Sequence, residues 1–112
     1  MNYTREQQID DAFFSLSHPV RRKIIERLSH GDMSVAEVSE PLDETPSQMT
    51  KHLQVLERGG MLTRKKEGRT HRLHMETESL KEVMDWVSYY QKFWDTRFDA
   101  LEDYLYQLSE EK

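Results

Sequence analysis

Two helix-start signatures separated by a proline-bounded break constrain the fold of this chain more than any other feature. Ser34-x-x-Glu37 and Thr45-Pro46-Ser47-Gln48 each place a hydroxyl residue three positions before an acid or amide, which is the pattern of a capping box. The proline in the second signature suits the first helical position, where a backbone N–H has no partner. Pro41 ends the first helix and Gly59-Gly60 ends the second. The sequence therefore predicts a helix-turn-helix unit over about residues 34–58.

Two further helices are predicted before this unit. Residues 4–16 place Ile9, Phe13 and Leu16 on one apolar stripe, which indicates an amphipathic helix. A second helix begins at His18-Pro19 and ends at Gly31, since proline favours the first helical turn and glycine favours the position after the last.

A β-hairpin is predicted after the unit. Residues 61–66 and 70–75 have strand character, and Glu67-Gly68-Arg69 between them supplies a glycine that can adopt a positive φ. Leu73 and Met75 lie on one face of the second strand because side chains alternate along a strand. We expect this face to contact the core.

The last third of the chain predicts one long helix over about residues 78–108. Apolar and aromatic side chains return to one side of it at steps of three, four and seven residues. The preceding 80 residues are too few to cover so wide a stripe, so we expect much of it to pack on a second copy of the chain. The residues expected in this dimer interface are Ile9, Phe13, Val87, Tyr90, Trp94, Phe98, Leu101 and Leu105.

Together these elements predict a mostly α fold with one β-hairpin, organised as a winged helix-turn-helix. It would contain five helices plus a two-stranded wing over about residues 61–75, in a single domain spanning residues 1–112. The helices at residues 4–16 and 78–108 would serve dimerisation.

The charge distribution differs sharply along the chain. The formal net charge is −5, but residues 1–44 carry −4, residues 45–74 carry +5 and residues 75–112 carry −6. A basic segment between acidic ends is either a solvated surface or a binding surface for a polyanion.

Exposed positions in the first two turns of the second helix of the unit have suitable chemistry for reading bases. Amide side chains can bond adenine, lysine can reach guanine or phosphate, and hydroxyl and imidazole groups can donate or accept. The same residues could equally form an ordinary polar face. The candidates are Ser47, Gln48, Thr50, Lys51 and His52.

Two groups of cations are candidates for contacts with a phosphate backbone. The hairpin carries five within nine residues, more than an edge strand needs to avoid aggregation. Arg21 and Arg22 lie in the first turn of a helix, where positive charge is mildly unfavourable. They would contact phosphate or pair with the acidic C-terminal helix. The hairpin cations are Arg64, Lys65, Lys66, Arg69 and Arg72.

Four segments resemble the ArsR-type winged-helix repressors: LSHPVRRKIIERL (16–28), SVAEVSEPL (34–42), PSQMTKHLQVLERGGML (46–62) and KKEGRTHRLHM (65–75). The run Thr50-Lys51-His52-Leu53, followed by Val55-Leu56-Glu57 and Gly60-Met61-Leu62, is similar to the family's recognition helix and the start of its wing. The resemblance implies base contacts from that helix, backbone or minor-groove contacts from the wing, and dimerisation through the first and last helices. It also implies repression of the protein's own operon at a pseudo-palindromic operator.

The chain departs from the metal-sensing members of that family. Those members use cysteines in the third helix or near the N-terminus, or Asp/His sets on the last helix. Here there is no cysteine, and the five histidines at 18, 30, 52, 71 and 74 are dispersed. The chain therefore resembles the cysteine-free members of the family, and we expect it to hold neither a metal ion nor a cofactor.

Other functions and locations follow from weaker observations. No phosphate-binding glycine loop or nucleophile–base pair is visible, so we do not expect an enzyme. A protein-interaction adaptor, or a repressor that holds an apolar ligand at the aromatic helix, is an alternative. The N-terminal residues lack a signal-peptide pattern and no apolar run could span a membrane, which favours the cytoplasm. The expected partners are double-stranded DNA, a second copy, and an inducer of unknown chemistry.

Overall fold

The computed structural model describes residues 3–110 and confirms the predicted fold class. Within that range the chain forms five helices and three strands, and the predicted boundaries agree to within two or three residues. The helices are α1 (Arg5–Ser15), α2 (Pro19–Leu28), α3 (Val35–Ser39), α4 (Pro46–Arg58) and α5 (Glu78–Glu110), and the strands are β1 (Met33–Ser34), β2 (Leu62–Glu67) and β3 (Thr70–Met75).

Both predicted capping boxes are present. The Thr45 hydroxyl accepts a hydrogen bond from the backbone N–H of Gln48, and the Gln48 side-chain oxygen accepts one from the N–H of Thr45 at 2.9 Å. Ser34 and Glu37 make the same reciprocal pair at the start of α3. These bonds satisfy backbone donors that a helix start would otherwise leave unpaired, so they fix where the helix-turn-helix begins and turns.

The sheet has one more strand than the sequence predicted. β1 adds to the hairpin as an antiparallel edge, giving the order β1-β3-β2, with Met33 opposite Leu73 and Ser34 opposite Arg72. The predicted two-stranded wing is confirmed as β2 and β3, and β1 is the strand that the sequence did not predict. A two-residue strand has too short a pattern to show alternation, so it can be recognised only from its pairing partner.

The hairpin itself is shifted by one residue from its predicted first strand. Glu67 is the last residue of β2 and pairs with Thr70, so Gly68 and Arg69 alone form the turn. Gly68 has a φ of +62°, the conformation for which glycine was expected at this position. Leu73 is fully buried and Met75 is half-buried, which confirms the inward face of β3.

The core lies where α2, α3 and α4 meet the inner face of the sheet. Gly59 permits the close approach of α1 to the end of α4, because a Cβ there would lie 2.8 Å from the Asp11 carbonyl oxygen and the Ser15 Cβ. A Cβ that close to a backbone oxygen would force α1 to shift, so glycine is required at this position. The buried apolar residues of this core are Ala12, Ile24, Ile25, Leu28, Val38, Met49, Leu53, Leu56, Met61, Leu62, Leu73 and Val83.

The helix α5 extends far beyond this core. It has 33 residues and is therefore about 50 Å long. Among its described residues Val83, near its start, is the one that is buried. The radius of gyration is 20.1 Å, whereas a compact domain of this length has about 13 Å. Most of the apolar stripe on α5 therefore has no covering within residues 3–110.

Candidate nucleic-acid interface

One face of α4 is fully exposed and polar. Ser47, Lys51, Gln54 and Arg58 follow one another at helical spacing along it, while the opposite face of α4 lies in the core. Gln54 is absent from the sequence-based candidates, although its position seven residues after Ser47 places it on the same face. The exposed face therefore extends through three turns, one more than was expected.

Two of the predicted base-reading residues are exposed but have part of their hydrogen-bonding capacity in use. The side-chain oxygen of Gln48 accepts from the N–H of Thr45, which leaves its NH₂ group available. The hydroxyl of Thr50 donates to the carbonyl of Pro46 at 2.9 Å, so this hydroxyl can act outward only as an acceptor. Ser47 and Lys51 carry no such restriction from a side-chain bond among the described residues.

His52 does not belong to the exposed face, so its burial does not favour the DNA contact predicted for it. Only 13% of its side chain is exposed, and its Nδ1 lies 3.2 Å from Nη1 of Arg21. Its position explains this, because residue 52 follows Met49 by three positions and precedes Leu56 by four, and both of those are buried. The imidazole therefore faces α2.

Arg21 is likewise turned inward, so its burial does not favour the phosphate contact predicted for it. The residue is 7% exposed and donates to the carbonyl oxygens of Ser15 at 2.9 Å and Phe14 at 3.1 Å. It lies three positions before Ile24, on the buried face of α2. Its guanidinium caps the carboxyl end of α1, where a cation is favourable, and within residues 3–110 it forms no ion pair with α5.

Arg22 shares this capping function but remains accessible. Its Nη1 donates to the carbonyl oxygen of Leu16 at 2.7 Å, and the side chain is exposed. Since this bond uses one of its five N–H donors, Arg22 retains the capacity for a phosphate contact.

The strand register divides the wing cations between two faces. Lys65 lies opposite Arg72 on one face of the hairpin, whereas Arg64 and Lys66 lie on the other, because neighbouring residues of a strand point to opposite sides. Arg69 lies at the turn. The wing therefore offers its cations on both faces and around its tip.

Two of the five wing cations make contacts within the chain. Both Nε and Nη2 of Arg64 donate to Oε1 of Glu57, the latter at 2.6 Å, and Nη1 lies 3.3 Å from Nδ1 of His71. Arg72 makes a long contact, 3.5 Å, with the carbonyl oxygen of Asp32. Lys65, Lys66 and Arg69 are exposed and have no ion-pair partner within residues 3–110.

A concave surface joins the wing to the start of α4. Its first part, of about 410 Å³, lies between the wing and α3, and its second part, of about 350 Å³, lies between α3 and α4. Val35 and Ala36 line both parts, so the two adjoin at the start of α3. Arg69 stands at one end and Thr50 at the other, which connects the wing cations to the exposed helix face.

The residues predicted at a dimer interface lie on α1 and along α5. Phe13 makes an edge-to-face contact with Trp86 of the same chain, with ring centroids 5.5 Å apart, so part of its surface is already used. Ile9 is half-buried against the chain itself. The six predicted residues on α5 are all at least 44% exposed: Val87, Tyr90, Trp94, Phe98, Leu101 and Leu105.

Neither a metal-binding cluster nor a membrane-spanning helix is found among the described residues. Residues 3–110 contain no group of three His, Asp or Glu side chains arranged to hold a metal ion. In the same range, no helix has both the length and the apolar composition that crossing a bilayer requires.

The chain matches known regulators in sequence and in structure. A family model described as a helix-turn-helix domain matches residues 16–65. The transcriptional repressor SdpR of Bacillus subtilis is 24% identical over 79 residues, which cover 70% of this chain and 88% of that protein. The family-model match includes the whole of α2, α3 and α4.

Solved structures agree with this assignment. An ArsR family transcriptional regulator is 30% identical with a TM-score of 0.77, and the match covers 82% of this chain and 95% of that one. An ArsR-like regulator from Rhodococcus sp. RHA1 has the same fold, with a TM-score of 0.71 at 23% identity over 88% of this chain and 92% of that one. These relatives are named as regulators of transcription and not as enzymes. The chain belongs to the ArsR family of winged helix-turn-helix transcriptional regulators.

Proposed function

We propose that this protein is a dimeric repressor that recognises a pseudo-palindromic operator in double-stranded DNA. The observation that carries the proposal is the exposed polar face of α4 beside three unpaired wing cations, in a chain whose net charge is −5. An acidic protein has no general attraction for DNA, so a local cluster of cations next to a helix-turn-helix has a specific use.

Side-chain chemistry indicates which DNA contacts the helix α4 and the wing would each make. Ser47, Lys51 and Gln54 present donors and acceptors along α4, and an α-helix of this size fits the major groove. Lys66 and Arg69 stand at the wing tip, where they would contact phosphates or the minor groove. The concave surface over α3 gives the sugar-phosphate backbone room to pass between these two contacts.

Dimerisation would bury the exposed apolar surface of α5. Thirteen large apolar side chains on α5 are exposed, from Met84 to Leu108, which is far more than a monomeric protein in water normally shows. A second copy packed along α1 and α5 would bury them and would place two recognition helices on one side of the assembly. The domain spanning residues 1–112 would then act as one unit of a symmetric pair.

Repression and cellular location are proposed from the relatives. SdpR is named a transcriptional repressor, and operator occupancy by a dimer is the simplest way for a chain this small to repress. DNA is its expected partner, so the protein would act in the cytoplasm. An inducer of unknown chemistry stays a predicted partner.

Selection from a random DNA pool tests this proposal. The full-length protein at pH 7.5 and moderate salt should enrich duplexes that share two inverted copies of one short motif. The variant Lys51→Ala should enrich a less defined motif, whereas Lys81→Ala, an exposed lysine of α5, should enrich the same motif as the wild type. No enrichment beyond the input pool would overturn the proposal and would favour an adaptor that binds another protein.

A further inference from the structure

Two histidines and an arginine meet behind the recognition helix α4. The rings of His18 and His52 lie with centroids 4.5 Å apart and are tilted by 45°. Nδ1 of His52 lies 3.2 Å from Nη1 of Arg21, and Nδ1 of His18 lies 3.1 Å from the backbone nitrogen of Val20. The cluster thus joins the start of α2 to the middle of α4, and the proposed DNA contacts do not use it.

The hydrogen bonds determine the protonation state of both rings. Arginine carries donors and no acceptor, so Nδ1 of His52 must accept the bond from Arg21. A backbone N–H is also a donor, so Nδ1 of His18 must accept the bond from Val20, where it caps the start of α2. Both rings are therefore neutral in this arrangement, and each carries its proton on Nε2. Adding a proton to either Nδ1 breaks the bond that this atom accepts.

Arg21 connects the cluster to α1. The same guanidinium that contacts His52 donates to the carbonyls of Phe14 and Ser15 and to the hydroxyl of Ser17 at 3.2 Å. Its burial leaves it little freedom to move. His52 is therefore held against a buried group at the end of α1, and this contact ties the middle of α4 to α1.

The surroundings of His52 oppose its protonation. Burial is the main cause that lowers the pKa of His52 below its ordinary value, and the neighbouring His18 and Arg21 lower it further. Glu44, in the loop before α4, acts in the opposite direction, with its Oε2 3.9 Å from Nε2 of His52. Below pH 6.5 an imidazole released to water binds a proton that the packed ring excludes, so acidification favours the released state.

We infer that Arg21 and His52, with His18, are positioning residues that hold α4 in its DNA-reading orientation only while both imidazoles are neutral. The inference rests on the proposed function, because it concerns the same helix. Lys51 precedes His52 directly, so release of the ring displaces a side chain of the proposed reading face. Specific DNA binding should therefore weaken as the pH falls from 7.5 to 5.5.

This direction is opposite to the general effect of acid on DNA binding. Lowering the pH makes the protein less negative, since its sequence pI is about 5.5, and this alone strengthens attraction to DNA. A loss of affinity on acidification therefore needs a specific cause. Each linked proton changes a binding constant by up to about tenfold per pH unit, so we expect about a fivefold or larger loss.

The test compares dissociation constants at pH 7.5 and 5.5, by fluorescence anisotropy with a duplex that the wild type selected from the random pool. The double variant His18→Asn/His52→Gln keeps an acceptor at each site, because asparagine caps helices and the glutamine oxygen can accept from Arg21. Without the histidine cluster only the general effect of charge remains, so the affinity of this variant should not fall between pH 7.5 and pH 5.5. His30→Gln, which replaces an exposed histidine outside the cluster, should show the wild-type ratio.

The outcomes separate this inference from the proposed function. Wild-type binding at pH 7.5 without a loss at pH 5.5, or an equal loss in the double variant, would overturn the inference and leave the proposed function intact. A second measurement needs no DNA: long-range ¹H–¹⁵N spectra of the imidazoles at pH 7.5 should show the Nε2–H tautomer for His18 and His52. The Nδ1–H tautomer or a charged ring at His52 would also overturn it.

Discussion

Arg64 of β2 and Glu57 in the last turn of α4 form an ion pair with a nitrogen–oxygen distance of 2.6 Å. Nε and Nη2 of the guanidinium both donate to the same carboxylate oxygen, so the pair has a defined orientation. It links the two elements proposed to contact DNA, the recognition helix and the wing. It also neutralises one of the wing cations that the sequence had suggested for a phosphate contact.

A double-mutant cycle should find this pair weakly coupled in stability. The side chains are 24% and 37% exposed, and ion pairs at such positions contribute about 0.2–1 kcal/mol. Glu57→Ala, Arg64→Ala and the double variant, measured by urea unfolding, should give a coupling free energy in that range that falls with added salt. A coupling above about 2 kcal/mol would show that the pair behaves as a buried one.

Lys51 and Arg69 should affect DNA binding in different ways. Lys51→Ala should cost about 1–3 kcal/mol on the selected duplex and much less on a scrambled one, because the residue would contact bases. Arg69→Ala should weaken both duplexes alike and reduce the salt slope by about one, because the residue would contact phosphate. Titrations at several salt concentrations check this contrast. Identical profiles for the two variants would contradict the separate roles proposed for helix and wing.

Trp94 should contribute strongly to dimerisation. It lies on the apolar stripe of α5 and is 52% exposed in the single chain, so Trp94→Ala should weaken the dimer by about 3 kcal/mol if a second copy buries the ring. Tyr106→Ala is the matched control, since this aromatic is 65% exposed but lies between Glu102 and Glu110 on the acidic side of α5. Sedimentation velocity at several protein concentrations distinguishes them. Equal dissociation of both variants would contradict the proposed interface.

His74 and His52 should titrate in opposite directions from the ordinary histidine pKa of 6.5. The hydrogen bond to Asp32, at 2.7 Å, and the charge of that carboxylate raise the pKa of His74. Its contribution to stability is therefore present below pH 6.5 and is lost as the pH rises through the raised pKa. For His52, whose pKa is lowered mainly by burial, the contribution is present above pH 6.5 and is lost as the pH falls.

NMR titration of the imidazole resonances measures both directions. The variant Asp32→Asn should bring the pKa of His74 back toward 6.5 and leave the titration of His52 unchanged, because the two rings share no contact. A His74 pKa at or below 6.5 in the wild type would contradict the ion pair.

Local patterns were sufficient to predict most elements of this fold. The reciprocal bonds of Thr45 and Gln48 lie within four residues, so the start of α4 could be found without tertiary information. The turn at Gly68 and the apolar stripe of α5 could likewise be predicted from patterns within short stretches of sequence. The edge strand β1 was missed because its pairing with β3 joins residues about 40 positions apart.

The candidate site was less predictable because its details depend on distant partners. A helical arginine normally indicates a surface, so Arg21 could be recognised as buried only from the carbonyls of α1 that it caps. The ion pair of Arg64 with Glu57 depends on how β2 packs beside α4, which no local pattern shows. Gln54 differs from these two, since extending the helical spacing from Ser47 would have identified it.

Hydroxyl-radical footprinting on the selected duplex tests the central claim most directly. With the wild type at saturation, the account predicts two protected segments whose centres lie about 10–10.5 base pairs apart, one for each recognition helix of a symmetric dimer. A single protected segment without a symmetry mate at saturation would contradict the account, because one recognition helix would then suffice for the bound state.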